Sequence, residues 1–127
     1  MGFCTAINCM DGRTQLPVFR YLEKRFNTKY VDMITEAGPN GILANGIDDF
    51  LVESIIKRVR ISVEKHGSAG IAIVGHFDCA GNPLGKAEQD IQTRKAMDVI
   101  RKEFPDKEIL GLWVDKNGIV SELNKNG

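Results

Sequence analysis

The sequence predicts an α/β fold in which a mostly parallel sheet carries helices on its faces and one antiparallel strand at an edge. Short β-forming runs alternate with longer segments of helical periodicity, in the order β-α-β-α-β-α-β-β. The run 70–74 (GIAIV) is apolar throughout, as is typical of a central parallel strand covered on both faces. Asn117-Gly118 lies between the last two runs and favours a two-residue hairpin, which makes the final strand antiparallel.

Size and composition indicate one globular domain over residues 1–127. Of these residues, 43% are hydrophobic and 27% are charged, and 17 basic residues balance 17 acidic ones. Because the net charge is zero, no global field attracts nucleic acid or an anionic membrane, and we expect neither as a partner. No apolar run approaches the roughly 18 residues of a membrane span, and the first residues lack the features of a signal peptide. The odd count of three cysteines argues against a disulfide framework and favours a reducing cytoplasm.

The first two elements are a strand and a helix. Phe3–Cys9 is rich in β-forming residues and is ended by Asp11-Gly12. Pro17 is expected to open the helix, because proline is well tolerated in a first turn. Apolar residues recur there every four positions, at Val18, Leu22 and Phe26.

A second strand over 30–35, a loop over 38–41 and a long helix over about 48–65 form the middle of the chain. Gly67 stops the helix. One apolar stripe runs along it, formed by Ile47, Phe50, Leu51, Ile55, Val59 and Val63. Val52 and Ile56 widen this stripe, which fits either deeper burial on the sheet or a subunit interface.

The last part of the chain supplies a helix over 86–104, which Pro105 ends, and strands over 109–114 and 119–123 on either side of the turn at 116–118. The residues expected to face inward from this helix are Ile91, Met97, Ile100 and Phe104.

Three side chains that suit a metal ion follow two of the predicted strands. Cys9 ends the first strand, and His76 and Cys79 follow the run 70–74. If these strands are neighbours, the three side chains converge at their carboxyl ends, where ligands bind in such sheets. Two thiolates and one imidazole suit zinc and leave a fourth tetrahedral position open, as in catalytic sites.

Other interpretations of these residues remain open. Each motif is weak alone, so Cys9 and Cys79 could be buried thiols and His76 a core histidine. The segment 81–87 lacks the spacing and the hydroxyl of a phosphate-binding loop. Cys4 and Cys9 do not form a C-x-x-C pair, and we expect Cys4 in the core.

The motifs Cys9-x-Asp11-x-Arg13, Ala37-Gly38 and Gly75-His76-x-Asp78-Cys79 resemble the signature of the β-class carbonic anhydrases. The tail Gly111-Leu112-Trp113-Val114-Asp115 is similar to the last strand pair of that family. The resemblance implies that Cys9, His76 and Cys79 bind one Zn²⁺ per chain and that Asp11 and Arg13 are the paired catalytic residues beside it. It also implies a homodimer or higher homo-oligomer.

On this resemblance, metal-bound hydroxide forms at neutral pH, Asp11 accepts its proton, and Arg13 holds Asp11 by a charge-assisted fork. If the Asp11–Arg13 pair breaks, Asp11 is expected to ligate zinc and close the fourth position. Asp78 is assigned no chemistry.

The leading hypothesis is therefore zinc-dependent, reversible hydration of carbon dioxide to bicarbonate. One alternative is hydrolysis of a related small molecule such as carbonyl sulfide. Another is a non-catalytic zinc-binding homo-oligomeric module in which Asp11 fills the fourth position. The third is a metal-free α/β module with structural cysteines.

Overall fold

The computed structural model describes residues 2–123. The strands are β1 (Phe3–Cys9), β2 (Tyr30–Glu36), β3 (Gly70–His76), β4 (Glu108–Val114) and β5 (Val120–Glu122). The helices are α1 (Gly12–Arg25), α2 (Pro39–Asn45), α3 (Asp49–His66) and α4 (Lys86–Glu103). Within this part of the chain, no helix is long and apolar enough to cross a bilayer.

The strands form one sheet in the order β2-β1-β3-β4-β5, with parallel pairing everywhere except between β4 and β5. The predicted α/β class, the mostly parallel sheet and the antiparallel edge strand are therefore confirmed. Strand β2 lies on one side of β1, and β3 lies on the other side, so the direction in which strands are added reverses after β2. This reversal makes the carboxyl ends of β1 and β3 a topological switch point, where a ligand site is expected.

The sheet separates two apolar clusters, because successive side chains of a strand point to opposite faces. Three helices, α2, α3 and α4, cover one face, whereas α1 covers the other. On the three-helix face, Ile7 and Ile73 pack against Ile55 and Ile100, all of them fully buried. The α1 face includes Cys4, which confirms that this cysteine lies in the core.

Two predicted boundaries in the first half of the chain were wrong. Helix α1 begins at Gly12 and contains Pro17 in its interior, because the Asp11 side chain accepts the N–H of Arg13 and starts the helix earlier. The expected loop over 38–41 is instead the beginning of α2. There Gly38, at φ 68°, precedes Pro39 in the first helical position, which proline favours.

Two predicted core faces were wrong in part. The α3 stripe is buried at Ile55 and Val59, but Ile47 and Phe50 at its beginning are 84% and 79% exposed. On α4, Ile91 is exposed, whereas Ile100 and Phe104 are buried as predicted. Four residues of α4 are buried: Gln89, Thr93, Ala96 and Ile100. The first two of them are polar.

The predicted two-residue hairpin was also wrong. Three residues, 116–118, separate Asp115 from Ile119, and the N–H of Asp115 donates to the carbonyl of Ile119 at 3.0 Å. The Asp115 carboxylate accepts the N–H groups of Asn117 and Ile119, and Gly118 has φ 77°. The aspartate thus favours a longer loop, in which glycine takes the left-handed position.

Candidate metal centre

The switch point brings together the three predicted metal ligands. Cys9 is the last residue of β1 and His76 the last of β3, while Cys79 lies in the turn that follows β3. The β1–β3 pairing ends at Ile7 and Ile73, so a space opens between the two strand ends.

The ligand atoms of Cys9, His76 and Cys79 all lie within 4.8 Å of one another. The two sulfur atoms are 3.8 Å apart. All three residues are buried, with 3–4% of their surface exposed. The donor set and its compactness fit one tetrahedral zinc ion with a fourth position not supplied by these three residues.

The His76 ring is oriented for metal binding. Its Nδ1 lies 2.8 Å from the carbonyl oxygen of Phe77. Since a carbonyl oxygen can only accept, Nδ1 carries the proton and the neutral ring has its lone pair on Nε2. Nε2 is buried and has no hydrogen-bond partner within residues 2–123. A buried acceptor without a partner is costly unless something else binds it, and a metal ion could satisfy it.

The turn after β3 shapes the surroundings of the Cys79 thiol. Burial raises its pKa, and the neighbouring Cys9 raises the pKa further. The backbone N–H groups of Gly81 and Asn82 point at the sulfur and lower the pKa in part. Gly81 packs directly against the backbone of Ala37, because an added Cβ would lie 2.6 Å from the Ala37 carbonyl carbon. A larger residue would therefore displace this turn.

Asp11 and Arg13 are paired beside the centre, at the beginning of α1. Arg13 donates from Nη2 to Oδ2 of Asp11 at 2.7 Å and from Nε to Oδ1 at 3.1 Å, and its backbone N–H donates to Oδ1 at 2.8 Å. These bonds, led by the side-chain fork, hold the pKa of Asp11 well below its ordinary range. Asp11 is therefore a carboxylate at neutral pH.

Asp78, to which the sequence assigned no chemistry, is the residue that Arg13 contacts on the β3 side. Nη2 of Arg13 donates to the Asp78 carbonyl oxygen at 3.0 Å, and Nη1 lies 3.4 Å from its carboxylate. Asp78 has φ 57°, a left-handed backbone conformation that is uncommon for residues other than glycine. The sequence pattern did not predict this contact, which accompanies the left-handed conformation of Asp78. Arg13 thereby bridges the segments that carry the candidate metal ligands.

Two small clefts open beside the centre. A cleft of about 260 Å³ next to Cys79 is lined mainly by apolar side chains, among them Phe77, Leu84 and Trp113. A second cleft, of about 180 Å³, lies on the side of His76 and is lined by Arg13 and Lys116 among others. Their volumes suit a substrate of a few atoms.

The sequence matches a protein-family model described as "Putative carbonic anhydrase" over residues 1–124. No curated protein matches it.

Solved structures of β-carbonic anhydrases have a similar fold. Isoform I from Trichomonas vaginalis is 19% identical, with a TM-score of 0.56 over 94% of this chain and 80% of that chain. CafA from Aspergillus fumigatus is 15% identical, with a TM-score of 0.56 over 95% of this chain and 74% of that chain. One of two tetrameric enzymes from Sordaria macrospora is 15% identical, with a TM-score of 0.57 over 95% of this chain and 80% of that chain.

At these identities the solved structures establish the fold, and the family match over nearly the whole chain establishes the family. The chain therefore belongs to the carbonic anhydrase family in its β-class fold, and so to the lyases that hydrate carbon dioxide.

Proposed function

We propose that the protein hydrates carbon dioxide reversibly to bicarbonate, with Cys9, His76 and Cys79 holding one zinc ion and Asp11 and Arg13 orienting the reacting groups. The observation that carries this proposal is the buried, unpartnered Nε2 of His76 within 4.8 Å of two cysteine sulfurs. A zinc ion bound there would supply Lewis acidity, which lowers the pKa of bound water toward the neutral range.

Asp11 contributes a fixed hydrogen-bond acceptor to this chemistry. A carboxylate has roughly four lone-pair sites, and three of those on Asp11 accept hydrogen bonds from Arg13. The remaining site can accept a hydrogen bond from the nucleophilic water and thereby orient it. Because the pKa of Asp11 is lowered, this acceptor stays unprotonated at neutral pH.

Arg13 keeps Asp11 in this role and away from the metal ligands. Its guanidinium is held on two sides, by the Asp11 carboxylate and by the Asp78 carbonyl oxygen. With this pairing intact, a fourth position on a metal held by Cys9, His76 and Cys79 would be left to substrate and water. When it breaks, Asp11 becomes free to occupy that position.

The substrate is expected to be small and without net charge. The cleft beside Cys79 offers Phe77, Leu84 and Trp113 as apolar walls, and its volume of about 260 Å³ excludes drug-sized molecules. Carbon dioxide satisfies both conditions.

The purified full-length protein is expected to contain about one zinc ion per chain and to hydrate carbon dioxide. Elemental analysis measures the first quantity, and stopped-flow hydration from mildly acidic to alkaline pH measures the second. A zinc-loaded sample without turnover at any pH would contradict catalysis and favour the non-catalytic module. A sample that binds no zinc would contradict the proposal altogether.

We also propose that the protein assembles as a homodimer or larger homo-oligomer. Ile47, just before α3, and Phe50, in its first turn, are 84% and 79% exposed, an unusual exposure for two large apolar side chains. The related enzymes from Sordaria macrospora are described as tetrameric.

Sedimentation velocity is expected to show an oligomer that the Phe50→Glu variant converts to smaller species. Lys24→Glu, a charge reversal at an exposed position of α1 across the sheet, is the control and is expected to leave the oligomer intact. A monomeric wild type, or an unchanged Phe50→Glu sample, would contradict this surface as the interface.

A further inference from the structure

The backbone of His76 lacks a strand partner on one side. The N–H of Phe77 donates to Val114 of β4 at 3.0 Å. Because successive backbone groups of a strand point to alternate sides, the N–H and C=O of His76 point away from β4, toward β1. The β1–β3 pairing has already ended at Ile73, so β1 does not satisfy them. Buried backbone groups require partners, and these must come from elsewhere.

Gln89 of α4 supplies both partners through its side-chain amide. Its Oε1 accepts the His76 N–H at 3.2 Å, and its Nε2 donates to the His76 carbonyl oxygen at 2.9 Å. Nε2 also donates to the Leu84 carbonyl oxygen at 2.9 Å, in the segment that follows Cys79. Gln89 is fully buried, so water does not compete for these bonds. The amide therefore acts as a short substitute for the missing strand.

Neighbouring side chains fix the orientation of the Gln89 amide. Asn40 of α2 donates from Nδ2 to Gln89 Oε1 at 3.2 Å and to Thr93 Oγ1 at 3.1 Å. The Asn40 amide is itself oriented, because its Oδ1 accepts the Gly41 N–H at 2.9 Å. Gly75 leaves room for the cluster, since a Cβ there would lie 2.9 Å from both Asn40 Nδ2 and Gln89 Oε1.

We infer that Gln89 is a positioning residue for the metal centre: by holding the N–H and C=O of His76, it fixes the direction in which Nε2 approaches the two cysteine sulfurs. This inference rests on the proposed function, because it requires that His76 bind the metal. Gln89 restrains the backbone of His76, whereas the Phe77 carbonyl oxygen orients the His76 ring through Nδ1. The two restraints together leave the imidazole little freedom to follow a metal of different size or geometry.

The Gln89→Met variant tests the inference, because methionine keeps the length of the side chain and removes all its amide hydrogen bonds. Its zinc affinity, measured by competition with a chromophoric chelator, is expected to fall about 10- to 100-fold, as for other outer partners of metal ligands. Cobalt(II) substitution provides a second readout, since the visible and thiolate charge-transfer bands report the coordination geometry. We expect these bands to change in shape as well as in midpoint.

Ser62→Ala is the matched control. Ser62 of α3 is also buried and hydrogen-bonded, but its partners Thr5, Asp32 and Ser68 lie outside the cluster around Gln89. It is expected to keep the wild-type zinc affinity and cobalt spectrum. Denaturant unfolding of the metal-free proteins shows whether each variant is folded before titration.

If Gln89→Met does not fold, Gln89→Glu decides the matter. That variant keeps an acceptor for the His76 N–H and places an oxygen against the carbonyl groups of His76 and Leu84, so a loss in the same direction is expected. Wild-type affinity and spectrum in the folded Gln89 variants, or an equal loss in Ser62→Ala, would overturn the inference. A wild type that binds no zinc would instead overturn the proposed function itself.

Discussion

The Arg13→Ala variant is expected to keep its zinc and to lose about 10- to 100-fold of the carbon dioxide hydration rate, the range typical of partners that orient metal-site groups. Without the guanidinium, Asp11 loses the fork to Nη2 and Nε. The carboxylate is then free to become the fourth metal ligand. Arg13 is 60% exposed at its side chain, so the lost ion pair should change folding stability little.

Stopped-flow rates and a crystal structure of the zinc-loaded Arg13→Ala variant check this expectation together. Arg20→Ala, an exposed arginine on the same helix, is the control and should retain the wild-type rate. Arg13→Lys keeps the charge but cannot form the fork, so an intermediate rate is expected. A structure with Asp11 remote from zinc, or an unchanged rate, would argue against the positioning role of Arg13.

The Cys79→Ser variant is expected to show the largest effect, with zinc affinity and hydration rate both reduced beyond the roughly 100-fold typical of outer partners. A serine hydroxyl stays protonated where a cysteine binds as thiolate, so it is a poor zinc ligand. Elemental analysis after exhaustive dialysis gives the zinc content, and stopped-flow measurement gives the rate.

Cys4→Ser separates this effect from the general cost of replacing a buried thiol. Cys4 is fully buried, accepts a hydrogen bond from the Thr28 hydroxyl and lies in the cluster under α1. Its replacement should lower the free energy of unfolding and leave one zinc per chain. Equal zinc loss in both variants would show that Cys79 acts through folding and not as a ligand.

Local patterns predicted the sheet, and they predicted the triad of Cys9, His76 and Cys79 on the condition that the strands before them are neighbours. An apolar run such as 70–74 indicates a central parallel strand, and the known behaviour of strand ends then places Cys9 near His76. The strand order in the structure meets this condition. It makes β1 and β3 neighbours.

The features that escaped prediction depend on partners distant in the sequence. Gln89 and Thr93 occupy the buried face of α4 because Asn40 and the His76 backbone satisfy them, so apolar periodicity alone pointed to Ile91 instead. Asp78 contacts Arg13 with its backbone in a left-handed conformation, and because the residue is not a glycine, no sequence signal indicated that conformation. The early start of α1 has a local cause instead, because the Arg13 N–H donates to the Asp11 side chain and begins the helix before Pro17.

The position of the triad at the rim of the sheet has a consequence for how the protein matures. Cys9 and Cys79 are 70 positions apart in the chain, so the pair is assembled only after β1 and β3 have docked. The apolar clusters that drive this docking lie below the rim and contain none of Cys9, Cys79 and His76. Metal loading is therefore expected as the last step after folding, and a chelator should strip the ion from a protein that keeps its shape and can be reloaded.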